Sequence, residues 1–226
     1  MIEKLIKKTI PLTSSVVKDK FIEASEKAFD CVFNGTSSFY PWQLPTTLPK
    51  RFKIGVIVGS SGSGKSTLLK EFGIEENFDW DDNKSIISHF LNPDDGIEKL
   101  SSVGFNSIPS WYKSYKVLSN GEKFRANLAR KIKTGCVIDE YTSVVDRTVA
   151  KAASMSLSRY IKNTNIENVI LATCHKDIIE WLEPDWVINT DTGEFLDGFF
   201  LSDQKLKSTY SNLNMINGSS LKTIII

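Results

Sequence analysis

Residues Gly59, Ser60, Ser61, Gly62, Ser63, Gly64, Lys65, Ser66 and Thr67 fit the pattern G-x-x-x-x-G-K-[ST]. The chemistry open to such a stretch is the holding of linked phosphates. Glycines permit backbone angles that other residues avoid, so successive amide groups can turn inward around an anion. Lys65 is placed to reach the outer phosphates, and the hydroxyl of Ser66 to ligate Mg²⁺. Three further groups suit reactions of phosphates. Asp139 and Glu140 close an apolar run, where one carboxylate can orient Mg²⁺ or its water and the other can take a proton from that water. His175 follows a second apolar run and can hydrogen-bond a terminal phosphate or position water. Ser119-Asn120-Gly121, with Glu122 three residues after the serine, reads as a capping box and also as an anion-receiving helix start.

The surrounding elements explain how these residues would meet. Phe52 to Val58 is a strand of β-branched and apolar residues, and Leu68 to Phe72 continues as a helix, so the glycine-rich turn joins strand to helix. Cys136 to Ile138 and Val169 to Thr173 are further buried strands, and Asp139, Glu140 and His175 stand at their carboxyl ends, where ligands bind in open α/β sheets. Helices are expected around Val17 to Val32, Ser85 to Leu91, Asp95 to Val103, 119 to 133, Arg147 to Lys162 and Asp177 to Leu182. In the third of these, Ile97 and Leu100 have core spacing; in the fourth, Phe124, Leu128 and Ile132 share a face. Trp186 to Ile188 and Glu194 to Leu201 are expected as closing strands, FYPWQLPTTLP (39 to 49) as a loop, and the tail from Asp203 as poorly ordered. Alternating strands and helices imply an α/β fold, with a parallel or mixed sheet covered on both faces.

Taken together, these motifs resemble the ATP-binding-cassette (ABC) ATPase family. Gly59 to Thr67 matches its Walker A loop, Leu118 to Glu122 its signature, Cys136 to Glu140 its Walker B strand, Ser143 to Asp146 its D-loop, and His175 its switch histidine, in the family's order. LSNGEKFRANLAR, DEYTSVVDRTVAKAAS and CHKDIIEWLEPDWV look most like the small soluble ABC-type ATPases found alone or fused to an acetyltransferase domain in bacteria and phages. The resemblance implies a P-loop NTPase of ABC type: an N-terminal extension over 1–51 packed on the core, an ATPase domain over 52–202 with a short helical insertion at about 79–133, and a tail over 203–226. It also implies an ATP-dependent homodimer with two head-to-tail composite sites. Gly59 to Thr67 would hold ATP, Ser66 and Asp139 would bind Mg²⁺, and Lys65, Glu140 and His175 would be catalytic. Ser119, Asn120 and Gly121 would close on the partner's nucleotide, with Asp146 near the seam.

The pattern is departed from in places. The only glutamines are Gln43 and Gln204, so the glutamine that the family places between Walker A and signature is missing; Asp81, Asp82, Asn83 and His89 are the candidate replacements. Asn120 stands where the family usually has glycine, and asparagine tolerates left-handed angles. Tyr40, Trp42 and Phe52 are the candidates to stack on adenine.

Composition narrows the role. In 226 residues, 28 Lys and Arg balance 27 Asp and Glu for a net charge of +1, which leaves no whole-chain electrostatic footprint for nucleic acid. Cys31, Cys136 and Cys174 lack metal-ligand spacing; two lie in expected buried strands, and all three read as small hydrophobes in a reducing cytosol. No apolar run approaches a membrane span and no signal-peptide core is present, so a cytoplasmic, soluble protein is expected. A hydrolytic ATPase acting on an unknown partner is the leading reading. Its rivals are a transporter's ATP-binding subunit, a nucleic-acid-linked ABC ATPase, a P-loop kinase, and a non-hydrolysing ATP-dependent switch or scaffold, against which an intact Glu140 argues.

Overall fold

Ile54–Val58 (β3) and Val169–Thr173 (β5) are runs of apolar residues in which every position is buried. Side chains alternate between the two faces of a strand, so complete burial requires cover on both sides, as in a parallel sheet with helices packed over it. The computed structural model describes residues 12–39 and 48–197. Contacts divide the chain into two units, residues 1–48 and 49–226. Tyr40, Trp42, most of the expected loop at 39 to 49 and the tail from Asp203 lie outside the described residues.

In the first unit Leu12–Ser15 (β1) pairs antiparallel with Thr36–Phe39 (β2), from Leu12 opposite Phe39 to Ser15 opposite Thr36. Between them lies Lys20–Phe29 (α1), shorter than the expected Val17 to Val32. Asp19 stops it at one end by accepting from the amides of Phe21 and Ile22, both at 3.0 Å, and Asp30 turns left-handed at the other.

The second unit holds a five-stranded sheet in the order β4-β5-β3-β6-β7, where β4 is Val137–Ile138, β6 is Trp186–Asn189 and β7 is Glu194–Asp197. The first four strands run parallel, and β7 turns back antiparallel on β6. Lys65–Phe72 (α2) follows β3, Arg147–Asn163 (α6) joins β4 to β5, and Ile178–Leu182 (α7) joins β5 to β6. The buried positions of α6, Ala150, Ala153, Ser154, Leu157, Ser158 and Ile161, recur at three- and four-residue steps and form one stripe. Trp186 is fully buried against Phe52, edge-on at 5.1 Å, and Phe72, stacked at 5.8 Å. Phe52 is therefore a core residue, 7% exposed, and is not free to stack on a base.

The segment between α2 and β4 carries two 3₁₀ turns, Ile86–His89 and Tyr115–Val117, and the helices Pro93–Ser102 (α3), Ile108–Trp111 (α4) and Asn120–Lys131 (α5). In α3 the packed face is Gly96 and Leu100, because Gly96 lies so close to Ile87 that an added Cβ would be 2.9 Å from its Cγ1. That rotation leaves Ile97 47% exposed, contrary to the spacing argument, while Leu100 is buried as expected. On α5, Leu128 and Ile132 are buried and Phe124 packs at 5.7 Å on the ring of Tyr141. Cys136 is buried just before β4, and burial pushes its thiol pKa up. Cys174, one residue beyond β5, is exposed rather than buried.

Gly55 sits beneath the Trp186 indole, and a Cβ there would lie 2.1 Å from Cζ2. Gly55→Ala is expected to lower unfolding free energy by about 1–3 kcal/mol through overpacking, measured by urea denaturation. An unchanged midpoint would show that the indole shifts freely.

Candidate functional site

The parallel register delivers the ends of the strands to one edge of the sheet. Val58 pairs with Thr173 on one side and Asn189 on the other, so Gly59, Cys174 and Thr190 leave the sheet at one level. Ile138 pairs two residues lower, opposite Leu171, and the amide of Tyr141 donates to the Ala172 carbonyl at 2.8 Å. Asp139 and Glu140 are thereby brought to the edge that carries the phosphate-type loop and His175.

In the loop, Gly62 and Gly64 have φ of +79° and +90°, angles that favour glycine. Gly59 needs its missing side chain for space: a Cβ would meet the Thr190 hydroxyl at 2.1 Å and that of Ser63 at 2.6 Å. Gly64 precedes α2 and supplies no capping side chain, so the first-turn amides after Lys65 are not satisfied by a cap. A helix start left in this state is suited to receive an anion. The Lys65 ammonium bends back over the turn and donates to the Ser60 carbonyl at 2.6 Å. Ser61, Ser66 and Thr67 are exposed. Thr190 and Asp191, unnoticed in the sequence, brace the loop: one Asp191 oxygen accepts from the amide and hydroxyl of Ser60 at 2.8 and 2.7 Å. Their signal was available, since Asn189-Thr190-Asp191 is a polar end to an apolar strand, as Asp139-Glu140 is.

At the end of β4, the Glu140 amide donates to Asp139 Oδ1 at 2.8 Å, fixing one carboxylate oxygen. Glu140 is exposed and has φ of +48°, while Thr142 has φ of +65°. Two left-handed residues other than glycine within three positions are a concentration of backbone strain, of the kind found at functional sites. The surroundings hold them there. Tyr141 is fully buried with its hydroxyl 2.9 Å from that of Ser154, and burial raises its pKa well beyond the ordinary phenol range. The Thr173 hydroxyl donates to the Tyr141 carbonyl at 2.7 Å and accepts from the His175 amide at 3.1 Å. A continuous path of hydrogen bonds thus joins the strained turn to His175.

His175 is half-buried, and its pKa is lowered, first by burial and then by the charge of Arg147, with Asp177 opposing. Arg147 Nε donates to Asp177 at 2.8 Å, a second guanidinium nitrogen pairs with the other oxygen, and the guanidinium lies 5.2 Å from the ring centre of Trp181.

Ser119 caps α5 with both halves of a capping box. Its amide donates to Glu122 at 2.9 Å and the Glu122 amide donates back to the Ser119 hydroxyl at 3.4 Å; that hydroxyl also donates to the Glu122 carboxylate at 2.8 Å. The hydroxyl of Ser110, and then the amide and hydroxyl of Ser119, hold the Glu122 carboxyl below its ordinary range. Asn120 opens the helix without a left-handed angle, so the tolerance sought for it is not needed. Asp146 caps α6, accepting from the Thr148 and Val149 amides at 2.9 and 3.0 Å. Gly121 faces Val149, with 3.5 Å from a Cβ built on it to either methyl, so the starts of α5 and α6 lie side by side.

Between α5 and the end of β4 lies a cleft of about 650 Å³, lined by Asn120, Lys123, Phe124, Asn127, Asp139 and Glu140 among others. Glu75 also lines it, paired with Lys131 at 2.6 Å. This pairing bridges 56 residues, and only the fold makes it visible. Among the four candidate replacements for the missing glutamine, His89 has both ring nitrogens engaged locally, one accepting from the Asp81 amide at 3.0 Å and the other 2.9 Å from the Ser85 carbonyl. Asp81 accepts from the Asn83 amide at 2.9 Å, and Asp82 lies 3.8 Å from Lys116.

The chain matches no protein-family model, and no curated protein matches its sequence. Solved structures do match. A dimeric post-hydrolysis state of an ATP-binding cassette bound to ADP and Pi is similar with a TM-score of 0.51 at 14% identity, covering 71% of this chain and 92% of that one. A dimeric bacterial ABC transporter cassette is similar with a TM-score of 0.50 at 13% identity, covering 68% and 87%. The fold is therefore that of an ABC-type P-loop cassette, with a mixed sheet and helices packed on it. Among the described residues no helix is long and apolar enough to cross a membrane.

Because the folded state favours neutral His175, its imidazole is expected to titrate below the ordinary value near 6.5 in an NMR pH series. The stability it contributes is present above that ordinary value and is lost as pH falls through the folded pKa. Arg147→Gln removes a repelling charge and frees Asp177, so the midpoint should rise; an unmoved midpoint would exclude the charge of Arg147 as a cause.

Proposed function

We propose that this protein is an ATPase of the ABC type, which binds Mg²⁺-ATP between two head-to-tail copies and hydrolyses it to drive a conformational cycle on a partner. The observation carrying this reading is the gathering, at one sheet edge, of an uncapped glycine-rich helix start with Lys65, a strained Asp139-Glu140 turn and His175. The fold shared with dimeric cassettes, one of them bound to ADP and Pi, supports it.

In this reading the amides of residues 59 to 67 face the phosphates, and Lys65 leaves the Ser60 carbonyl to pair with the outer ones. Ser66 and Asp139 offer a hydroxyl and a carboxylate, hard oxygen donors of the kind Mg²⁺ takes. When bound, Mg²⁺ would neutralise charge on the phosphate oxygens. Glu140 accepts the proton of the attacking water as its oxygen bonds to the γ-phosphorus and the bond to the bridging oxygen breaks, giving ADP and phosphate. Neutral His175 donates toward the terminal phosphate or holds the water.

The side-by-side starts of α5 and α6 supply the second half of the site. Ser119, Asn120 and Gly121 present the positive end of α5 to the partner's nucleotide, and Asp146 lies at the seam. The reading places the protein in the cytoplasm, without a membrane-inserted part. A transporter's ATP-binding subunit fits less well, because only short helices fill the segment between the loop and Ser119.

Glu140→Gln is expected to cut ATP turnover by about 100-fold or more while binding ATP and accumulating as a dimer, read by phosphate release and light scattering. Equal turnover in both proteins would remove Glu140 from its role. Ser119→Arg should abolish hydrolysis with the nucleotide affinity of the monomer nearly unchanged, in a fluorescent-nucleotide titration. Loss of monomer binding would show that the α5 start acts within its own chain.

A further inference from the structure

The β6–β7 hairpin carries no residue with a role in the reading above, yet its turn presses directly on the phosphate loop. We propose that Asp191 is a positioning residue that organises this loop before nucleotide arrives; the proposal rests on the ATP-binding role of residues 59 to 67.

Four observations converge on it. Asp191 Oδ1 accepts from two donors of Ser60, the amide at 2.8 Å and the hydroxyl at 2.7 Å. Ser60 is also the residue whose carbonyl receives the Lys65 ammonium at 2.6 Å, so the carboxylate fixes the point on which the phosphate-directed lysine rests. Thr190 adds a second brace: its hydroxyl donates to the Val58 carbonyl at 3.1 Å, lies 2.6 Å from that of Ser63, and fills the space where a side chain on Gly59 would stand. Asp191 itself is oriented, since its amide donates to Asn189 Oδ1 at 3.0 Å and its other oxygen lies 3.9 Å from the ammonium of Lys176, the neighbour of His175.

A carboxylate beside a triphosphate site costs binding energy through repulsion, which Lys176 partly offsets. Its benefit is preorganisation. A glycine-rich turn left to itself samples many conformations, and binding must then supply the ordering free energy. Because ATP and ADP need the same loop, a positioning role weakens both alike and leaves turnover at saturation less affected, whereas a group acting on the reacting phosphate would alter turnover selectively.

The test measures dissociation constants of fluorescent ATP and ADP analogues, with ATP turnover at saturation and nucleotide-free melting temperature, for wild type, Asp191→Ala and Asp191→Asn. Asp191→Ala should raise both dissociation constants about tenfold with a smaller change in kcat. Asp191→Asn keeps an acceptor oxygen and sheds the charge, so it should restore binding to wild-type level or better. Asp191→Ala protein that binds both nucleotides as tightly as wild type overturns the proposal, as does Asp191→Asn protein as weak as the alanine variant. If Asp191→Ala does not fold, Ser60→Ala removes one of the two bonds to the same oxygen and should weaken ATP and ADP equally; unchanged binding overturns the idea. Wild-type protein that binds neither nucleotide removes the ATPase reading itself, and the proposal with it.

Discussion

Parallel pairing of β3 with β5 on one side and β6 on the other is the constraint from which the site follows. Parallel strands release their carboxyl ends at the same edge, and because every position of Ile54–Val58 is buried, its register is set by the fit of individual side chains rather than by polar–apolar alternation. The close packing of Gly55 under Trp186 enforces that register from β6. The chain then has little freedom: Gly59 must turn beneath Thr190, and the turn after β4 must climb to Ala172 to bring Glu140 level with His175. The left-handed angles at Glu140 and Thr142 belong to that climb, held by the buried Tyr141 ring and the Thr173 hydroxyl.

Three of the side chains given roles in the proposed site have internal partners in the single chain, whereas the first-turn amides of α2 have no capping side chain. Lys65 rests on Ser60, the Ser119 hydroxyl rests on Glu122, and Asp146 caps its own helix. On the proposed reading a phosphate or a second chain would replace each of these contacts, so that closure would exchange side-chain interactions rather than add them. Such exchange would keep the free energy of the proposed closure small. On the same reading, Ser119, which starts α5 through its capping box in the single chain, would also receive an anion from a partner copy.

Much of this was readable from residue order, and the parts that were not have physical reasons. The buried strands at 54–58 and 169–173 announce themselves by apolar runs between turn residues, and α5 by its periodicity and its cap at Ser119; α6 is expected over Arg147 to Lys162, but that Asp146 caps it emerges only in the fold. The antiparallel pair of β1 and β2 is not legible because LTSS and TSSF lack the alternation that marks a half-buried strand. Ile97 misled because spacing gives a face but not which face docks; Gly96 against Ile87 decided that. Residue type alone leaves Phe52 available for stacking, and it is the buried Trp186 beside it that takes it into the core. The Glu75–Lys131 pair is not legible because it joins segments far apart in the chain, and for Asp191 the polar end of β6 is a sign of the residue but not of its partner Ser60.

The central claim is that two copies complete each other's site, and mixing two inactive variants tests it most directly. Lys65→Ala spoils the loop and leaves the α5 start intact; Ser119→Arg does the reverse. In a heterodimer of the two, the loop of the Ser119→Arg chain faces the unaltered α5 start of the Lys65→Ala chain. ATP hydrolysis should therefore reappear on mixing and pass through a maximum as the ratio is varied. Turnover that stays at the sum of the separate proteins at every ratio, with heterodimers present by mass, would contradict the account.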